Sequence, residues 1–391
     1  MWDVSFANLF FVALIAFCAP TLMGFVPRLR IPSVVVMIAA GIVFGSSGVS
    51  LIQLDGPVQI LALLGLAFLL FLAGLEIDVR RLRGNLLRVA LAGYALTLAL
   101  GGIAGMLFGI LDWVRSPLLL AVTLSATSLG LIVPVLSDAD QAETHTGLSV
   151  IAASSVAEFG SVLLLSLLFS TSGGTVGERI ARPLVFAAVV AAVAGAVFAA
   201  SRSVRLGGVF LRLLDTTAEL RVRAAVALLI GFVVLAQRVG LETILGAFMA
   251  GVIVAALDPD TTTHWFRAKL EGIGNGFVVP VFFITSGLQL ELHQLLASPL
   301  ALLRVPVFLV ALLLVRGMPA VLYLKAIGVR ASLAAALLQA TSLPVIVTAA
   351  QIGLVLGALL PVNAAALICA GVLSTLIFPA GALTILRRQD S

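Results

Sequence analysis

Glu158 sits in the run VIAASSVAEFGSVLLLSLLF, with no other charged residue within a dozen positions on either side. A carboxylate so deep in an apolar segment costs several kcal/mol to keep charged, and it cannot snorkel to water. Its anionic form persists only beside a cation, so the group can hold either a proton or a metal ion. Ser154 and Ser155, one helical turn earlier, offer neutral oxygens suited to a hard monovalent cation. Arg316, in VPVFLVALLLVRGMPAVLYL, is the second deep charge. A guanidinium stays protonated in proteins, so it cannot carry the proton; it can pin a carboxylate or compensate helix ends. Arg304 lies nearer the start of the same run, where it is expected to snorkel outward.

Two further stretches bear on these charges. SATSLGLIVPVL from Ser125 and QATSLPVIVTAA from Gln339 nearly coincide, 214 residues apart. Each places Thr-Ser, then Leu, then Gly or Pro inside an apolar run. Proline frees a carbonyl and glycine weakens the helical ladder, and in hydrocarbon the freed groups need partners. Thr127, Ser128, Thr341 and Ser342 can supply them, and interrupted helix is tolerated where it lines a polar cavity. Ser125, Gly130, Pro134 and Pro344 complete the expected lining, with Pro134 and Pro344 as the breakers. Two such helices would face their half-helix ends inward, and those partial charges need fixed ions to balance them.

The elements that carry these residues follow from composition. Of 391 residues, 61% are hydrophobic and 10% charged, whereas soluble domains carry roughly 25% charged residues. Apolar runs of about 20 residues follow one another almost without pause. The reading is an all-α polytopic membrane protein of about thirteen spans, near 7–26, 31–50, 57–77, 86–110, 117–137, 147–170, 182–201, 222–237, 241–257, 273–291, 299–324, 332–356 and 361–386. The first run follows Asp3 and no basic residue, so it reads as a span rather than a cleaved leader.

Seventeen of the 23 Lys and Arg residues collect on one side, around 28–30, 80–88, 202–223, 267–269, 325–330 and 387–388. This puts the C-terminus in the cytoplasm and the N-terminus outside. The net charge of +5 is assigned to those loops rather than to nucleic-acid binding.

The repeat extends beyond the opening pair. FLAGLEIDVRRL from Phe71 matches ITSGLQLELHQL from Ile284, and IPSVVVMIAAG from Ile31 matches LETILGAFMAG from Leu241, at offsets of 213 and 210. A duplicated six-span unit accounts for all three offsets, spans one to six answering eight to thirteen. Related spans are seven apart, so they cross in opposite directions and the repeats are inverted. That topology is typical of secondary transporters.

Other groups carry less. Glu76, Asp78, Glu242 and Glu291 lie at span ends and read as interfacial; His145, His264 and His293 lie in or beside loops without metal-ligand spacing; Cys18 and Cys369 read as inert apolar residues. Phosphate-binding, dinucleotide, zinc-protease and nucleophile-elbow motifs are absent, so nucleotide-driven transport and common hydrolase chemistry lack support, and no cofactor is expected.

LAFLLFLAGLEIDVRRL, SATSLGLIVPVL followed by SVIAASSVAEFGSVLLLSL, and VVPVFFITSGLQLEL resemble the Kef and Nap-type cation:proton antiporters over essentially the whole chain. The resemblance implies an Nha-type antiporter fold that exchanges Na⁺ or K⁺ for H⁺. It implies a dimerisation scaffold (1–85 and 218–297), a moving core (86–170 and 298–388) in which the interrupted helices cross, and a linking helix at 182–201. On this resemblance Glu158 matches the ion-binding aspartate, Arg316 the basic residue of span eleven, and Thr127 the crossing-helix threonine. Ala157 stands where many relatives carry Asp or Asn, and the carboxylate is Glu. One ionisable carrier with a permanent Arg fits electroneutral exchange. A homodimer in a bacterial inner membrane is expected. The alternative is a sodium- or proton-coupled organic-anion symporter, with Arg316 binding a substrate carboxylate.

Overall fold

The computed structural model describes residues 6–25, 32–77, 84–169, 181, 183–193, 195, 219–257, 263–290 and 292–387. Apolar runs leave the backbone no outside partner in lipid, and the chain answers with helices throughout. In order these are α1 (Ala7–Phe25), α2 (Ser33–Phe44), α3 (Gly56–Leu75), α4 (Gly84–Ile110), α5 (Pro117–Ser125), α6 (Leu129–Asp138), α7 (His145–Leu168), α8 (Pro183–Val193), α9 (Leu220–Val239) and α10 (Thr243–Leu257). There follow α11 (Thr263–Ile273), α12 (Val279–Leu288), α13 (Leu292–Leu296), α14 (Pro299–Gly317), α15 (Leu324–Gln339), α16 (Pro344–Val355) and α17 (Pro361–Arg387). Among the described residues the extended pairing is one isolated bridge, Val114 to Leu359.

Nine described segments are long and apolar enough to cross a membrane, and α2, α8, α10 and α16 are shorter apolar helices. The segment Pro299–Gln339 is one of the nine, but Gly328, at φ 79° and ψ 172°, breaks it before Val329. Divided there, with the second part joined to α16, the described segments fall one to each of the thirteen expected spans; of the seventh, 182–201, residues 182, 194 and 196–201 lie outside the described residues. The second span is shorter than read from the sequence, because the chain turns at Gly45–Val49 after α2. Of the basic-loop residues, Arg28, Arg30, Arg80, Arg81, Arg83, Arg202, Arg205 and Arg212 lie outside the described residues, as do Asp78 and Glu291.

The chain forms two compact units, one of Met1–Ala62, Arg80–Ser161 and Pro280–Ser391, the other of Leu63–Val79 and Val162–Val279. In the first, a Cβ added at Gly41 would lie 2.1 Å from the Ile284 carbonyl oxygen, and one at Gly287 would lie 2.2 Å from that of Ile38. Backbones of α2 and α12 meet there with no room for a side chain. In the second unit a Cβ at Gly251 would lie 2.0 Å from the Phe71 carbonyl oxygen, and one at Gly74 would lie 2.2 Å from that of Phe248. The repeat aligns Gly41 with Gly251, Ile38 with Phe248, Phe71 with Ile284 and Gly74 with Gly287. The same reciprocal glycine contact is thus built twice, as a duplicated unit requires.

The first unit contains both interrupted helices. Ser116 caps α5, its side chain accepting from the Leu119 N–H at 3.3 Å, with Pro117 in the first turn. The helix stops at Ser125, and Ala126 to Ser128 run extended before α6. In the second repeat α15 ends at Gln339 and α16 begins at Pro344. Pro344 is a helix start, as its missing N–H allows. Pro134, expected as a breaker, lies inside α6 instead. The first break holds neither Gly nor Pro. Contacts from the other crossing segment keep it open: the Ser128 N–H donates to the Thr341 carbonyl at 3.1 Å, and the Thr127 hydroxyl donates to the Gln339 carbonyl at 2.7 Å.

Candidate functional site

Glu158 lies midway along α7 and is 2% exposed. Its Oε2 accepts a hydrogen bond from the Leu129 N–H at 2.8 Å, and Leu129 is the first residue of α6. A helix start carries unpaired N–H groups and partial positive charge, so it stabilises an anion placed there. The carboxylate therefore closes one of the four inward-facing helix ends.

Arg316 attends to another. It is 1% exposed, near the end of α14. Its Nε donates to Thr127 Oγ1 at 2.5 Å and its Nη1 donates to Thr97 Oγ1 at 3.3 Å. Thr127 in turn donates to the carbonyl of Gln339, the last residue of α15. A helix C-terminus carries partial negative charge, and the Thr127 hydroxyl relays the guanidinium to it. One hydroxyl thus joins the fixed cation, one crossing linker and the end of the other broken helix.

The remaining lining residues divide by what their side chains do. Ser155 donates back to the Ile151 carbonyl at 2.8 Å within its own helix, whereas Ser154 Oγ, fully buried, has no hydrogen-bond partner. Ser154 and Glu158 are four apart and share a helix face. Ser125 Oγ meets Ser161 Oγ at 3.2 Å and Tyr94 Oη at 3.5 Å, forming a buried hydroxyl cluster. Tyr94 rests on Gly160, where an added Cβ would come within 2.4 Å of the ring. In the second repeat the Ser342 N–H donates to Ser374 Oγ at 3.2 Å, and that hydroxyl donates to the Ser342 carbonyl at 3.1 Å. Thr341 Oγ1 bonds back to Leu337. Gly130 is the second residue of α6, and Ser128 precedes that helix with no side-chain cap bond.

Thr97, Tyr94, Ser161, Gln339 and Ser374 were not among the sequence candidates, yet all lie at or beside the crossing. Their signal was a polar side chain inside an apolar run. The same signal marks many membrane-helix hydroxyls that only bond back one turn, which is why it did not single them out.

Arg304, half-buried near the start of α14, is held by named partners. Its Nη1 donates to Asn363 Oδ1 at 2.6 Å and its guanidinium lies 5.0 Å from the centroid of the Trp113 ring. Asn363 Nδ2 donates to the Trp113 carbonyl. The Arg115 N–H donates to the Ala358 carbonyl at 3.1 Å, so these loops form one clamp. In the second unit, Glu76 follows the end of α3. Burial pushes its carboxyl up to about 8 from the ordinary 4.5; Glu271 adds to the rise and Arg267 opposes it. Arg267 also donates to the Leu75 carbonyl at 2.6 Å. No group of three His, Cys, Asp or Glu among the described residues is placed to hold a resident metal.

Fold and site together define a class: polytopic helical membrane proteins of inverted repeats, with interrupted helices crossing beside a buried carboxylate and arginine. The family described as "Sodium/hydrogen exchanger, transmembrane" matches residues 13–388, and the chain belongs to that family. It is 28% identical over 412 residues to "Putative Na(+)/H(+) antiporter YjbQ" of Bacillus subtilis (strain 168), covering 100% of this chain and 64% of that protein's length. It is 27% identical over 290 residues to "Na(+)/H(+)-K(+) antiporter GerN" of Bacillus cereus, covering 73% of each chain. The structure of the sodium proton antiporter MjNhaP1 from Methanocaldococcus jannaschii at pH 8 matches in fold, with a TM-score of 0.57 and 15% identity over 97% of this chain and 98% of that one.

Proposed function

We propose that the protein exchanges a monovalent cation, Na⁺ or K⁺, for a proton across a bacterial inner membrane. The observation that carries this reading is the buried Glu158 carboxylate at the start of α6. In this account Glu158 alternately binds a proton and a metal cation, with the Ser154 hydroxyl among the neutral oxygens that complete the cation's shell. The proton leaves as the cation arrives, so one turnover moves one positive charge each way and the exchange is electroneutral. Arg316 stays charged throughout, held by Thr97 and Thr127, and balances the α15 end rather than travelling. Thr127, Ser128, Thr341 and Ser342 keep the crossing polar. The relatives' names support antiport, and GerN's name includes both Na⁺ and K⁺.

Access alternates by movement of a core (86–170 and 298–388) against a scaffold (1–85 and 218–297) that dimerises in the bilayer. The segment 182–201, which includes α8, links them. The Lys and Arg distribution supports a cytoplasmic C-terminus and an outside N-terminus. The organic-anion alternative needs a guanidinium fork facing substrate. Arg316 already commits Nε and Nη1 to threonines, which disfavours it.

In proteoliposomes, adding NaCl or KCl should dissipate an imposed pH gradient with the wild type and not with Glu158→Gln. Undiminished flux in that variant would remove Glu158 as the carrier. Dependence on an organic solute would favour symport.

A further inference from the structure

Arg316 leaves one edge of its guanidinium unused: Nη2 is buried and has no hydrogen-bond partner. Three other buried atoms share that condition nearby, namely Tyr323 Oη and both amide atoms of the Gln339 side chain. Gln339 is 0% exposed and Tyr323 3%. The three residues are neighbours. The carbonyl of Gln339 and the Nε of Arg316 share the Thr127 hydroxyl, at 2.7 and 2.5 Å, and the Tyr323 hydroxyl lies close to the Gln339 side chain, within the field of Arg316. Leaving one buried polar group unpaired costs about 1–3 kcal/mol. Four in one place mark a contact waiting to be completed.

The donor and acceptor types match in one arrangement. Nη2 can only donate, a carboxamide offers one acceptor and two donors, and a phenol can accept. With Oε1 turned to Nη2 of Arg316 and Nε2 turned to Oη of Tyr323, a single amide satisfies all four atoms. The reverse orientation sets N–H against N–H and leaves the arginine unpaired. The repeat counterpart of Gln339 is Ser125, and it too meets a tyrosine, Tyr94, though there the contact is already formed.

We infer that Gln339 is a positioning residue for Arg316: its side-chain amide bridges Arg316 Nη2 and Tyr323 Oη, forming the third wall of a cradle begun by Thr97 and Thr127. The cradle then draws on α4, the linker before α6 and the end of α15, so the fixed charge follows both crossing segments through turnover. Transport is the readout here, and to that extent the inference rests on the proposed exchange.

The test compares wild type, Gln339→Leu, Tyr323→Phe and the double variant in proteoliposomes with saturating and limiting NaCl or KCl. Gln339→Leu should lower the maximal exchange rate about tenfold while the half-saturating cation concentration stays within about twofold, because the amide positions Arg316 without touching the cation. Adding Tyr323→Phe should lower the rate no further, since the bridge is already gone. A wild-type rate in Gln339→Leu, or single losses that multiply in the double variant, would overturn the bridge. If Gln339→Leu is not monodisperse in detergent, Tyr323→Phe decides alone: a loss of about threefold supports the bridge and an unchanged rate overturns it. Absence of exchange in the wild type would sink the transport reading instead, and the bridge is then read from thermal melting, where the same non-additivity supports it and additivity overturns it.

Discussion

The carboxylate of Glu158 receives the N–H of Leu129 across 2.8 Å, so a side chain on α7 closes the start of α6. Any change in the charge of Glu158 is therefore coupled directly to the charge balance of a broken helix. Arg316 plays the complementary part at the α15 end through Thr127.

Thr127→Val keeps the shape and removes the shared hydroxyl. It leaves Arg316 Nε and the Gln339 carbonyl unpaired, at about 1–3 kcal/mol for each buried group. Thermal melting in detergent should fall and exchange should be lost. Thr127→Ser should retain most of both, and equal melting of the Val and Ser variants would contradict the relay.

Neighbouring glycines on α4 should behave oppositely. At Gly105 an added Cβ would lie 2.2 Å from the Pro117 carbonyl oxygen, whereas at Gly102 nothing lies within 4 Å. Gly105→Ala should destabilise by about 1–3 kcal/mol through forced separation of α4 and α5. Gly102→Ala should be neutral or stabilising by up to about 1 kcal/mol. Melting curves of the two variants check the sign.

Asn363 bonds to Arg304 and to the Trp113 carbonyl. Asn363→Leu breaks both contacts and should lower the melting temperature markedly. Asn363→Asp keeps the acceptor for Arg304 and loses the donor, so it should fall between Leu and wild type. Wild-type melting in the Leu variant would remove the clamp.

Glu76 makes stability depend on pH. Its carboxyl is raised to about 8 in the fold from the ordinary 4.5, chiefly by burial, so the folded state holds the proton more tightly than the unfolded chain. Its contribution is fully present below 4.5 and is lost as pH rises towards and through 8. Glu76→Gln cannot ionise, so melting measured between pH 5 and 9 should decline less steeply in the variant than in the wild type. Parallel curves would contradict the assignment.

Several features were legible without coordinates because each is a local cost that any membrane fold must meet. Glu158 and Arg316 announced themselves as charges in apolar runs. The repeat was legible too, since Gly41, Gly74, Gly251 and Gly287 recur at constant offsets and close backbone contact demands them. The position of the first helix break was harder: Pro134 suggested one place and the chain opens at Ala126 to Ser128. That choice depends on acceptors supplied by Thr341 and Gln339, more than 200 residues away.

The sequence by itself therefore determined the spans, the inverted repeats and which charges must lie inside, since hydrocarbon penalises an unpaired polar group wherever it sits in space. Only the tertiary structure decided the partners. That Arg316 reaches Thr97 and Thr127, that Arg304 meets Asn363, and that Gln339 stands at the crossing depend on distances between segments remote in the chain, and hydrogen bonds form only within about 3.5 Å.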